Sequence, residues 1–565
     1  MVRYSQCSLS NSSSSPLLNS QALKIPTGAS SLFKEGYSMH SGVEEAVIRN
    51  IHAVSELSEI VRTSFGPNGR NKMVINHLDK LFVTSDAATI IRELEVVHPA
   101  GKVLVMASQQ QEHEMGDRTN LVMILAGELL KKAEYLLTMG LHPSEVVLGY
   151  ELARDKAMAE LETLTAKTLE TPLTTESLIL ALRPTLASKQ YGAEDLLAKL
   201  VAEAVLAVMP RDPTKFNVDN VRVVKIMGGG LSSSRVIRGM VFGREPEGTV
   251  NKAANAKVGV FTCGIDIAQT ETKGTVLLKN SEELLNFSRG EEKHMEKIFQ
   301  EIADSGMNVL IAGSSVGELA LHYLNRHNIL VIKVLSKFDL RRVCRVVGAT
   351  PLARLGAPTP DEMGQCDIVE TVEIGGDRVT VFRQDKEATR TATVVVRGAT
   401  TNQMDDVERA IDDGVNVVKG IIKDPRLVAG AGATELELAK RIAEYGEKTP
   451  GLAQHAIKRF ADALEVVPRT LAENAGLDAT EVLSRLYAAH QGTEDGVVGV
   501  DIEAENGGTL DAVKAEIFDL LASTRWAIRY GTDAAISVLR VDSIIMSRQA
   551  GGPAPPKQNP NWDDE

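Results

Sequence analysis

Residues 63–91 read TSFGPNGRNKMVINHLDKLFVTSDAATII, and the rest of the chain is best interpreted outward from them. A glycine-rich turn at 66–69 follows a helical pattern. Two short apolar runs come next, at 73–75 and 81–83, and a polar turn at 84–86 closes the stretch. Glycines allow a backbone to approach a ligand closely, and successive N–H groups in such a turn can bind an anion. The residues alone fit either an ordinary helix-to-hairpin connection or an anion-binding turn.

The composition is that of a globular protein with several domains. A chain of 565 residues exceeds a single hydrophobic core, so we expect about three or four domains. The net charge of −13 argues against nucleic acid as a partner. The longest apolar run, 121–130, contains Glu128 and falls short of the roughly 18 residues that read as a membrane span. The sequence therefore predicts a soluble protein with no membrane partner.

The cysteines indicate the compartment. They are scattered and form no C-x-x-C pair: Cys7, Cys263, Cys344 and Cys366. That distribution is typical of a reducing compartment and of a protein without structural zinc. We therefore expect a cytoplasmic protein.

Both chain ends have the composition of tails. The first 34 residues contain ten serines and no acid, two features that transit peptides share. They also contain few arginines and are interrupted by Pro16 and Pro26. We expect a disordered tail at 1–31, with an organelle address as the alternative. Glycines and prolines after Arg548 predict a second disordered tail at 548–565.

The first part of the chain is predicted to be helical. Residues 41–44 read as a capping box, and an apolar stripe from Val43 to Val61 follows it and ends near Gly66. Proline at the start and glycine at the end of helical patterns predict further helices at 99–114, 121–140 and 143–164. Residues 165–217 are also helical in pattern but less apolar.

The middle of the chain alternates strand and helix patterns, which is typical of an α/β domain. Helices are predicted at 282–305 and 316–326. Strands are predicted at 221–226, 258–262, 308–312, 329–334, 368–374, 378–382 and 391–396.

Helical pattern returns at Met404. One stripe of the first helix is apolar, at Val407, Ile411, Val415, Val418 and Ile422. A Gly-Ala-Gly turn at 430–432 leads into further helices that reach residue 488. A hairpin-like stretch at 496–503 precedes the last helices, which end near Arg540. If the two helical ends form one domain, the middle is an insertion, and the turns at 66–69 and 430–432 face one ligand.

Three acidic or glycine-rich features carry candidate chemistry. Asp117 lies at the start of a predicted helix, in GDRTN. The N–H groups at a helix start favour phosphate, and a carboxylate beside them can hold Mg²⁺. The alternative is that Asp117 or Thr119 only caps the helix. Asp413 lies off the apolar stripe of its helix, so by pattern alone it is a solvated acid. The turn at 66–69 does not have Walker A spacing. No H-E-x-x-H motif, nucleophile elbow or Cys/His cluster is present.

Taken together, these residues resemble the group II chaperonins from about residue 32 to 553. The resemblance is carried by GPNGRNKM at 66–73, TSDAAT at 84–89, HPAGKVLVMA followed by GDRTN at 98–120, and VAGAGATE at 428–435. It implies a mainly α fold with α/β parts in three domains: a helical equatorial domain, an intermediate domain, and an α/β apical domain with a helical lid protrusion.

The resemblance also implies the boundaries and the assembly. The equatorial domain would take 32–164 and 411–547, the intermediate domain 165–220 and 384–410, and the apical domain 221–383. Two stacked rings of eight paralogous subunits would enclose unfolded clients of the actin and tubulin type. ATP hydrolysis would close the lid, with ATP or ADP and Mg²⁺ as cofactors.

Site residues are implied position by position. Asp117 would hold Mg²⁺, and Asp86 and Asp413 would position and activate the attacking water. Nucleotide contacts are implied for Phe65, Gly66, Pro67, Asp117, Arg118, Thr119, Asn120, Leu121, Ser188, Lys189, Gly430, Ala431, Gly432 and Asp519. Client contacts are implied for Glu318, His322, Asn325 and Arg326.

Three positions depart from the family pattern, which has glycine where Arg118, Ala87 and Ala431 stand. Arg118 has two expected options: its side chain turns to solvent, or it folds over the phosphates, retains ADP and slows turnover. Three functions stay open at this point: an ATP-hydrolysing chaperonin subunit, a structural ring member that holds nucleotide and hydrolyses it slowly, and an unrelated nucleotide-dependent enzyme.

Overall fold

A computed structural model of the chain describes residues 38–42, 46–170, 172–266, 280–384, 390–492, 496–504 and 508–546. The two predicted tails, 1–31 and 548–565, lie outside the described residues. The chain divides into a small unit, formed by the residues up to Val47 and those from Val541 onward, and a large unit, Ile48–Arg540.

The described residues contain the following elements. The helices are α1 Ile48–Arg62, α2 Ala87–Glu93, α3 Pro99–Met115, α4 Thr119–Thr138, α5 Pro143–Thr163, α6 Thr175–Ala187, α7 Glu194–Val208, α8 Ser281–Asp304, α9 Glu318–Arg326, α10 Lys337–Val347, α11 Thr401–Lys423, α12 Ala433–Lys448, α13 Ala453–Leu464, α14 Val466–Ala475, α15 Ala479–Gly492 and α16 Leu521–Leu539. The strands are β1 Ser38–Ser41, β2 Lys72–Ile75, β3 Leu81–Thr84, β4 Thr165–Thr168, β5 Val221–Met227, β6 Arg235–Phe242, β7 Lys252–Phe261, β8 Val309–Ala312, β9 Leu330–Lys333, β10 Pro351–Leu352, β11 Gly364–Ile374, β12 Asp377–Arg383, β13 Ala392–Gly398, β14 Arg426–Ala429, β15 Val498–Val500, β16 Thr509–Asp511, β17 Phe518–Leu520 and β18 Ser543–Met546.

The small unit is a two-stranded antiparallel sheet. Strand β1 pairs with β18, so that Ser41 lies opposite Ser543. The Gly42 N–H continues the pairing by donating to the Asp542 carbonyl at 3.1 Å. The predicted capping box is therefore wrong at Ser41, because that residue belongs to a strand. Residues 43–45 of the box lie outside the described part of the chain.

In the large unit, helices from both ends of the chain pack together. Helix α4 contacts α1 and α3 from the first part and α13 and α16 from the last. Most α4 side chains are buried, as expected of a helix that is apolar on nearly all sides. Gly127 permits the close approach of α1, because a Cβ there would lie 2.3 Å from the Ser58 Cβ. The predicted α1, α3, α4 and α5 are present, although α1 ends at Arg62 rather than near Gly66.

A three-stranded sheet in the order β17-β14-β4 was not predicted. Its strands have three or four residues each, too few for a periodic pattern to show. Thr165–Thr168 fell within a stretch predicted to be helical, and this part of the prediction is wrong. The sheet matters for function because it brings β17, which carries Asp519, beside the glycine turn that follows β14.

The middle of the chain forms a curved mixed sheet in the order β5-β13-β6-β12-β11-β7-β8-β9, with β10 added beside β7. All seven predicted strands are present. Their bounds agree with the predicted ones to within a few residues, except that β7 and β11 begin earlier than predicted. Sequence patterns missed β6, in which Arg235, Arg238 and Gly239 interrupt the apolar run, and α10, which carries three arginines. The lid protrusion stays a prediction, because residues 267–279, between β7 and α8, lie outside the described chain.

Helix α11 connects this sheet to the helical body. Its predicted apolar stripe packs against α6, α7 and β13, and Val407, Ile411 and Val418 are fully buried there. Thr400 caps the helix, because its side chain accepts from the Gln403 N–H at 3.3 Å. Asp413 lies on a different face of α11, outside this apolar stripe.

Candidate functional site

A cavity of about 560 Å³ lies in the large unit, within the usual size range of small-molecule sites. Segments far apart in sequence meet there. The predicted residues that line it are Phe65, Gly66, Pro67, Asp117, Arg118, Asn120, Leu121, Ser188, Lys189, Ala431, Gly432 and Asp519. The predicted residues that do not line it are Asp86, Thr119, Gly430 and Asp413.

The start of α4 forms one wall of the cavity. Asp117 is held on both carboxylate oxygens: Oδ1 accepts from the Arg118 N–H at 2.7 Å, and Oδ2 accepts from the Thr185 hydroxyl at 3.2 Å. The Thr119 hydroxyl donates to Asp86 Oδ1 at 2.8 Å. Neither Asp117 nor Thr119 caps the helix, so the cap alternative is wrong. The N–H groups of residues 119–121 belong to the first helical turn and have no acceptor within the helix, which favours an anion.

Lys189 joins two carboxylates behind the cavity. Its Nζ lies 3.1 Å from Asp86 Oδ1 and 3.3 Å from Asp413 Oδ2. The Asp413 side chain is only 14% exposed, so the solvated-acid interpretation is wrong. Helix α6 packs against α11, and the residues that follow α6 bring Lys189 over the face of α11 that carries Asp413. Periodicity could not show this, because the covering residues lie more than 200 positions earlier.

The two acids differ in protonation. Burial raises the pKa of Asp86, but attraction to Lys189 and hydrogen bonds from Thr89 and Thr119 outweigh it and hold that pKa well below its ordinary value. Burial raises the pKa of Asp413 well above its ordinary value, with repulsion from Asp86 and Asp117 acting against Lys189. Asp86 is therefore the permanently ionised acid, and Asp413 is the one suited to take a proton.

Asp413 also has a free acceptor. Its Oδ2 is buried, and its contact with Lys189 has the distance of an ion pair but not the direction of a hydrogen bond. No described residue donates a hydrogen bond to this oxygen. A buried carboxylate oxygen without a donor is costly unless another polar group approaches it, and a water molecule would satisfy it.

Arg118 occupies an unexpected place. One of its terminal nitrogens lies 3.0 Å from Glu435 Oε1, and the other is paired with Asp519 Oδ2. Its side chain is 13% exposed, so the option that it turns to solvent is wrong. Burial raises the pKa of Asp519 to about 6, with repulsion from Glu435 and Asp117 opposing the attraction of Arg118. Sequence reasoning missed Glu435, although it closes the VAGAGATE motif.

Backbone conformation explains why glycine suits two of the altered positions. Arg118 has a φ of 64° and Ala431 a φ of 55°, both in the left-handed region that costs a residue with a Cβ roughly 1–2 kcal/mol. Gly432 follows with a φ of 77° and packs against Pro468. The chain keeps a glycine-type backbone at both places while carrying larger side chains.

Three of the four predicted client-contact residues on α9 are exposed, and Asn325 is half-buried. Glu318 and His322 are exposed. Asn325 accepts a hydrogen bond from the Thr249 N–H at 3.1 Å, and Arg326 is paired with Glu296 at 3.2 Å. The ion pair of Arg326 leaves its side chain 63% exposed.

Helix α10 and the loop before it expose a second surface that sequence patterns missed. Phe338 is 70% exposed and Leu335 is 56% exposed. Large exposed apolar side chains next to each other are candidates for contact with another protein.

The comparisons with known proteins decide the family. Residues 57–549 match the model of the TCP-1/cpn60 chaperonin family, which is most of the chain. The chain belongs to that family. The identification of a chaperonin and of its mainly α fold with α/β parts is thereby confirmed, and the alternative of an unrelated enzyme is wrong.

The relatives of this chaperonin specify the branch. The chain is 58% identical over 545 residues to the probable T-complex protein 1 subunit theta of Schizosaccharomyces pombe, covering 96% of this chain and 100% of the relative. It is 54% identical to the theta subunit of Saccharomyces cerevisiae and 53% identical to that of Homo sapiens; both matches cover 96% of this chain and at least 99% of the relative. The stretches KMVINHLDKLFVTSDAATI, SKQYG, FNVDN, ETKGTVL and WAIRYGT resemble that branch, and the relatives confirm this assignment.

The residues of the chaperonin cavity fit a magnesium nucleotide. Apolar side chains at Val467, Leu471, Val500 and Ile502 suit a base, while the α4 N–H groups and Asp117 suit phosphates and a metal. No group of three or more potential ligands lies together among the described residues. Mg²⁺ does not need one, because it typically binds one or two carboxylates, substrate phosphates and water.

Among the described helices, none combines the length and the apolar composition of a membrane-spanning segment.

Proposed function

We propose that this chaperonin subunit binds ATP with Mg²⁺ in the cavity, hydrolyses it, and uses the cycle to close a lid over an unfolded client. One observation carries the proposal: the Asp86–Lys189–Asp413 cluster lies directly behind a helix start that presents free N–H groups and Asp117. An anion site, a metal carboxylate and a general base are the three parts that phosphoryl transfer to water requires.

Each part of the cavity has a separate task in this proposal. The N–H groups of 119–121 hold the phosphates, with Ser188 and Lys189 on the far side. The nucleoside lies between the turn at Phe65–Pro67 and the turn at Gly430–Gly432, near Asp519. Asp117 would hold Mg²⁺, which would supply positive charge to balance the negative charge that develops on the phosphates.

The two acids behind the phosphates act on the attacking water. Asp413 accepts its proton, because its raised pKa makes it the better base near neutral pH and its Oδ2 has no hydrogen-bond donor. Asp86 stays ionised and keeps Lys189 and the Thr119 hydroxyl in position. The proton acceptor Asp413 therefore lies on α11, whereas Asp86 lies directly before α2 and Lys189 lies in the turn after α6.

Slow turnover remains a second candidate for this subunit. The buried Arg118, Glu435 and Asp519 group fills one corner of the cavity, where the family pattern has only a glycine backbone. Ala431 adds a side chain to the facing turn. Both features favour a subunit that holds nucleotide and contributes mainly to the ring.

The assembly is part of the proposal. The curated relatives are named as subunits, and we propose that this chain likewise belongs to a cytoplasmic double ring of eight-membered rings built with paralogues. Its domains would follow the boundaries 32–164 and 411–547, 165–220 and 384–410, and 221–383. On the apical part, we expect clients to contact Phe338 and four residues of α9: Glu318, His322, Asn325 and Arg326.

Native mass tests the assembly. A tagged full-length chain in a cell lysate should migrate as a particle near one megadalton, which is about sixteen chains of this size. Denaturing the particle should release several different polypeptides of similar mass. Recovery of the 61.0 kDa chain alone, or as a small multiple of it, would contradict the proposed ring.

Asp117→Asn tests the metal. We expect the magnesium-dependent part of ATP binding to this subunit to fall by about ten- to a hundredfold, because a charged ligand to the ion is lost. Photolabelling of the tagged subunit by 8-azido-ATP, with and without EDTA, measures this. The control is Asp155→Asn, a largely exposed acid on α5 that lies outside the cavity. Equal magnesium dependence in the variant and the native chain would remove Asp117 from the metal site.

A further inference from the structure

The Asn120 side chain binds the backbone on both sides of Asp86. Its Oδ1 accepts a hydrogen bond from the Ala87 N–H at 2.9 Å, and its Nδ2 donates to the Ser85 carbonyl at 3.1 Å. These two groups belong to the two peptide bonds that flank Asp86. The same Nδ2 donates to the Ser64 carbonyl at 3.3 Å, so the side chain joins the start of α4 to two separate loops.

This amide has no donor left for a ligand. An asparagine side chain has two N–H bonds, and in Asn120 both donate to backbone carbonyls. The partners also fix which way the amide faces, because a backbone N–H requires its oxygen and two carbonyls require its nitrogen. Of the donors of Asn120, only the backbone N–H in the first turn of α4 remains for a phosphate. The side chain therefore acts on the protein itself.

The loop that carries Asp86 depends on these hydrogen bonds. Ser85 is 4% exposed and Ala87 is fully buried. The Ala87 N–H is the first of α2 and has no acceptor within that helix. A buried N–H or carbonyl group without a partner is costly, so without Asn120 the loop would shift to reach water or another partner. Such a shift moves Asp86, whose carboxylate accepts from Lys189 at 3.1 Å.

We propose that Asn120 is a positioning residue that fixes Asp86, and through it Lys189, where they act on the attacking water. The inference rests on the proposed ATP site and deepens it. Lys189 lies between Asp86 and the proton acceptor Asp413, so a displaced Asp86 would disturb the whole cluster. Placement matters in such a site, because a shift of about 1 Å can cost about a hundredfold in rate.

Nucleotide binding should survive the loss of the Asn120 side chain, because the binding groups have other supports. The Asp117 carbonyl keeps its hydrogen bond from the Gln111 side chain at 2.9 Å. The Phe65 carbonyl keeps its hydrogen bond from the Asn474 side chain at 2.8 Å. The loss falls on the loop before α2, so hydrolysis rather than binding should change.

Hydrogen exchange of the assembled complex without nucleotide tests the hold on this loop. In Asn120→Ala, a peptide spanning residues 84–91 should exchange about tenfold faster, while peptides from the second half of α4 keep their native protection. Asn474→Ala is the matched control, because it removes the same kind of amide from the Phe65 turn and leaves the Asp86 loop untouched. Its 84–91 peptide should exchange at the native rate.

Hydrolysis on this subunit tests the consequence. The complex carries a tag on this chain, which is isolated after photolabelling and denaturation so that label on other subunits does not count. The α-label of 8-azido-ATP counts bound nucleotide, and the γ-label counts nucleotide that is still unhydrolysed. In Asn120→Ala the rate per bound nucleotide should fall about ten- to a hundredfold, while bound nucleotide stays within about threefold of native.

Three results would overturn the inference while leaving the proposed site intact. They are native exchange of the 84–91 peptide in Asn120→Ala, a native rate per bound nucleotide in that variant, or equal losses of binding and hydrolysis, which a merely structural residue would give. The same slowing in Asn474→Ala would assign the effect to the Phe65 turn and would also contradict it. Absence of any label on the native subunit would instead overturn the proposed site and the inference with it.

A second variant keeps the test decisive if Asn120→Ala does not assemble. Asn120→Ser retains a small polar side chain in the first turn of α4, but its hydroxyl is too short to reach both the Ser85 carbonyl and the Ala87 N–H. It should show the same faster exchange and the same slowed hydrolysis, and native behaviour in both measurements would overturn the inference.

Discussion

Asp413→Asn is expected to leave ATP bound to this subunit while slowing its hydrolysis by about a hundred- to ten-thousandfold. The amide has nearly the same shape as the acid, but it cannot take the proton of the attacking water. Asp413 does not line the cavity, so it contributes little to ground-state binding. Its raised pKa, and the lack of a well-directed hydrogen bond to its buried Oδ2, suit it to a role in the transition state alone.

The measurement must be specific to this subunit, because paralogues in the ring also turn over nucleotide. Photolabelling at intervals with α-labelled and γ-labelled 8-azido-ATP gives total nucleotide and unhydrolysed nucleotide on the tagged chain. Their ratio reports hydrolysis at this site. Asp405→Asn is the matched control, since Asp405 lies on the same helix and pairs with Lys225 outside the cavity. Equal losses of binding and of hydrolysis in Asp413→Asn would make Asp413 a ligand or a structural residue.

Lys189→Met is expected to destabilise the surroundings of the cavity by about 3–5 kcal/mol. The side chain is 10% exposed and lies between two carboxylates that are nearly as buried. Burial alone would lower the pKa of Lys189, but Asp86 and Asp413 raise it, so the lysine is charged at all physiological pH values. Without it, Asp86 would lose the attraction that keeps its pKa low and would remain buried without a counter-charge.

Hydrogen exchange of peptides from α2 and α11 measures this loss locally, which is appropriate because a chain of several domains does not unfold in one step. The depressed pKa of Asp86 contributes stability above its unfolded value of 3.8, and this contribution is lost as the pH falls. The difference in exchange protection between the native chain and Lys189→Met should therefore become smaller as the pH falls toward the pKa range of carboxylic acids. A constant difference at every pH would show that Lys189 acts through packing rather than charge.

Two further variants separate charge from size. Lys189→Met combined with Asp413→Asn should recover part of the lost protection, because one of the two stranded charges is removed. Lys225→Met removes a lysine that also contacts two acids, Asp405 and Glu408, but is 35% exposed. Because solvent screens such pairs, its loss should cost less than about 1 kcal/mol.

Helices and strands with a strong hydrophobic period could be predicted from the amino-acid sequence. Helix α4 is apolar on nearly all sides, and the stripe of α11 recurs at regular spacing, so both were predicted close to their observed bounds. Local burial patterns of this kind depend on neighbours within one element. Motifs such as GDRTN and VAGAGATE also identified the family, and twelve of the residues predicted from the resemblance line the cavity.

Short strands and helix starts were decided by tertiary contacts. Ser41 has the local signals of a helix cap, yet it pairs with Ser543 from the other end of the chain. Strands β4, β14 and β17 are too short to show a period and exist because they pair with one another. Local sequence does not specify pairings between residues hundreds of positions apart.

The chemistry of two charged residues, Asp413 and Arg118, depends on contacts that form only in the folded chain. By its own helix Asp413 is a surface acid, and it becomes a buried base because Lys189 and its segment cover it. Arg118 had two predicted directions, and in the structure it pairs with Glu435 of α12 and Asp519 of β17, which lie more than 300 residues later in the chain. The reason is physical: a charge takes its pKa and its partners from the groups that surround it in space, and in this protein those groups come from distant parts of the chain.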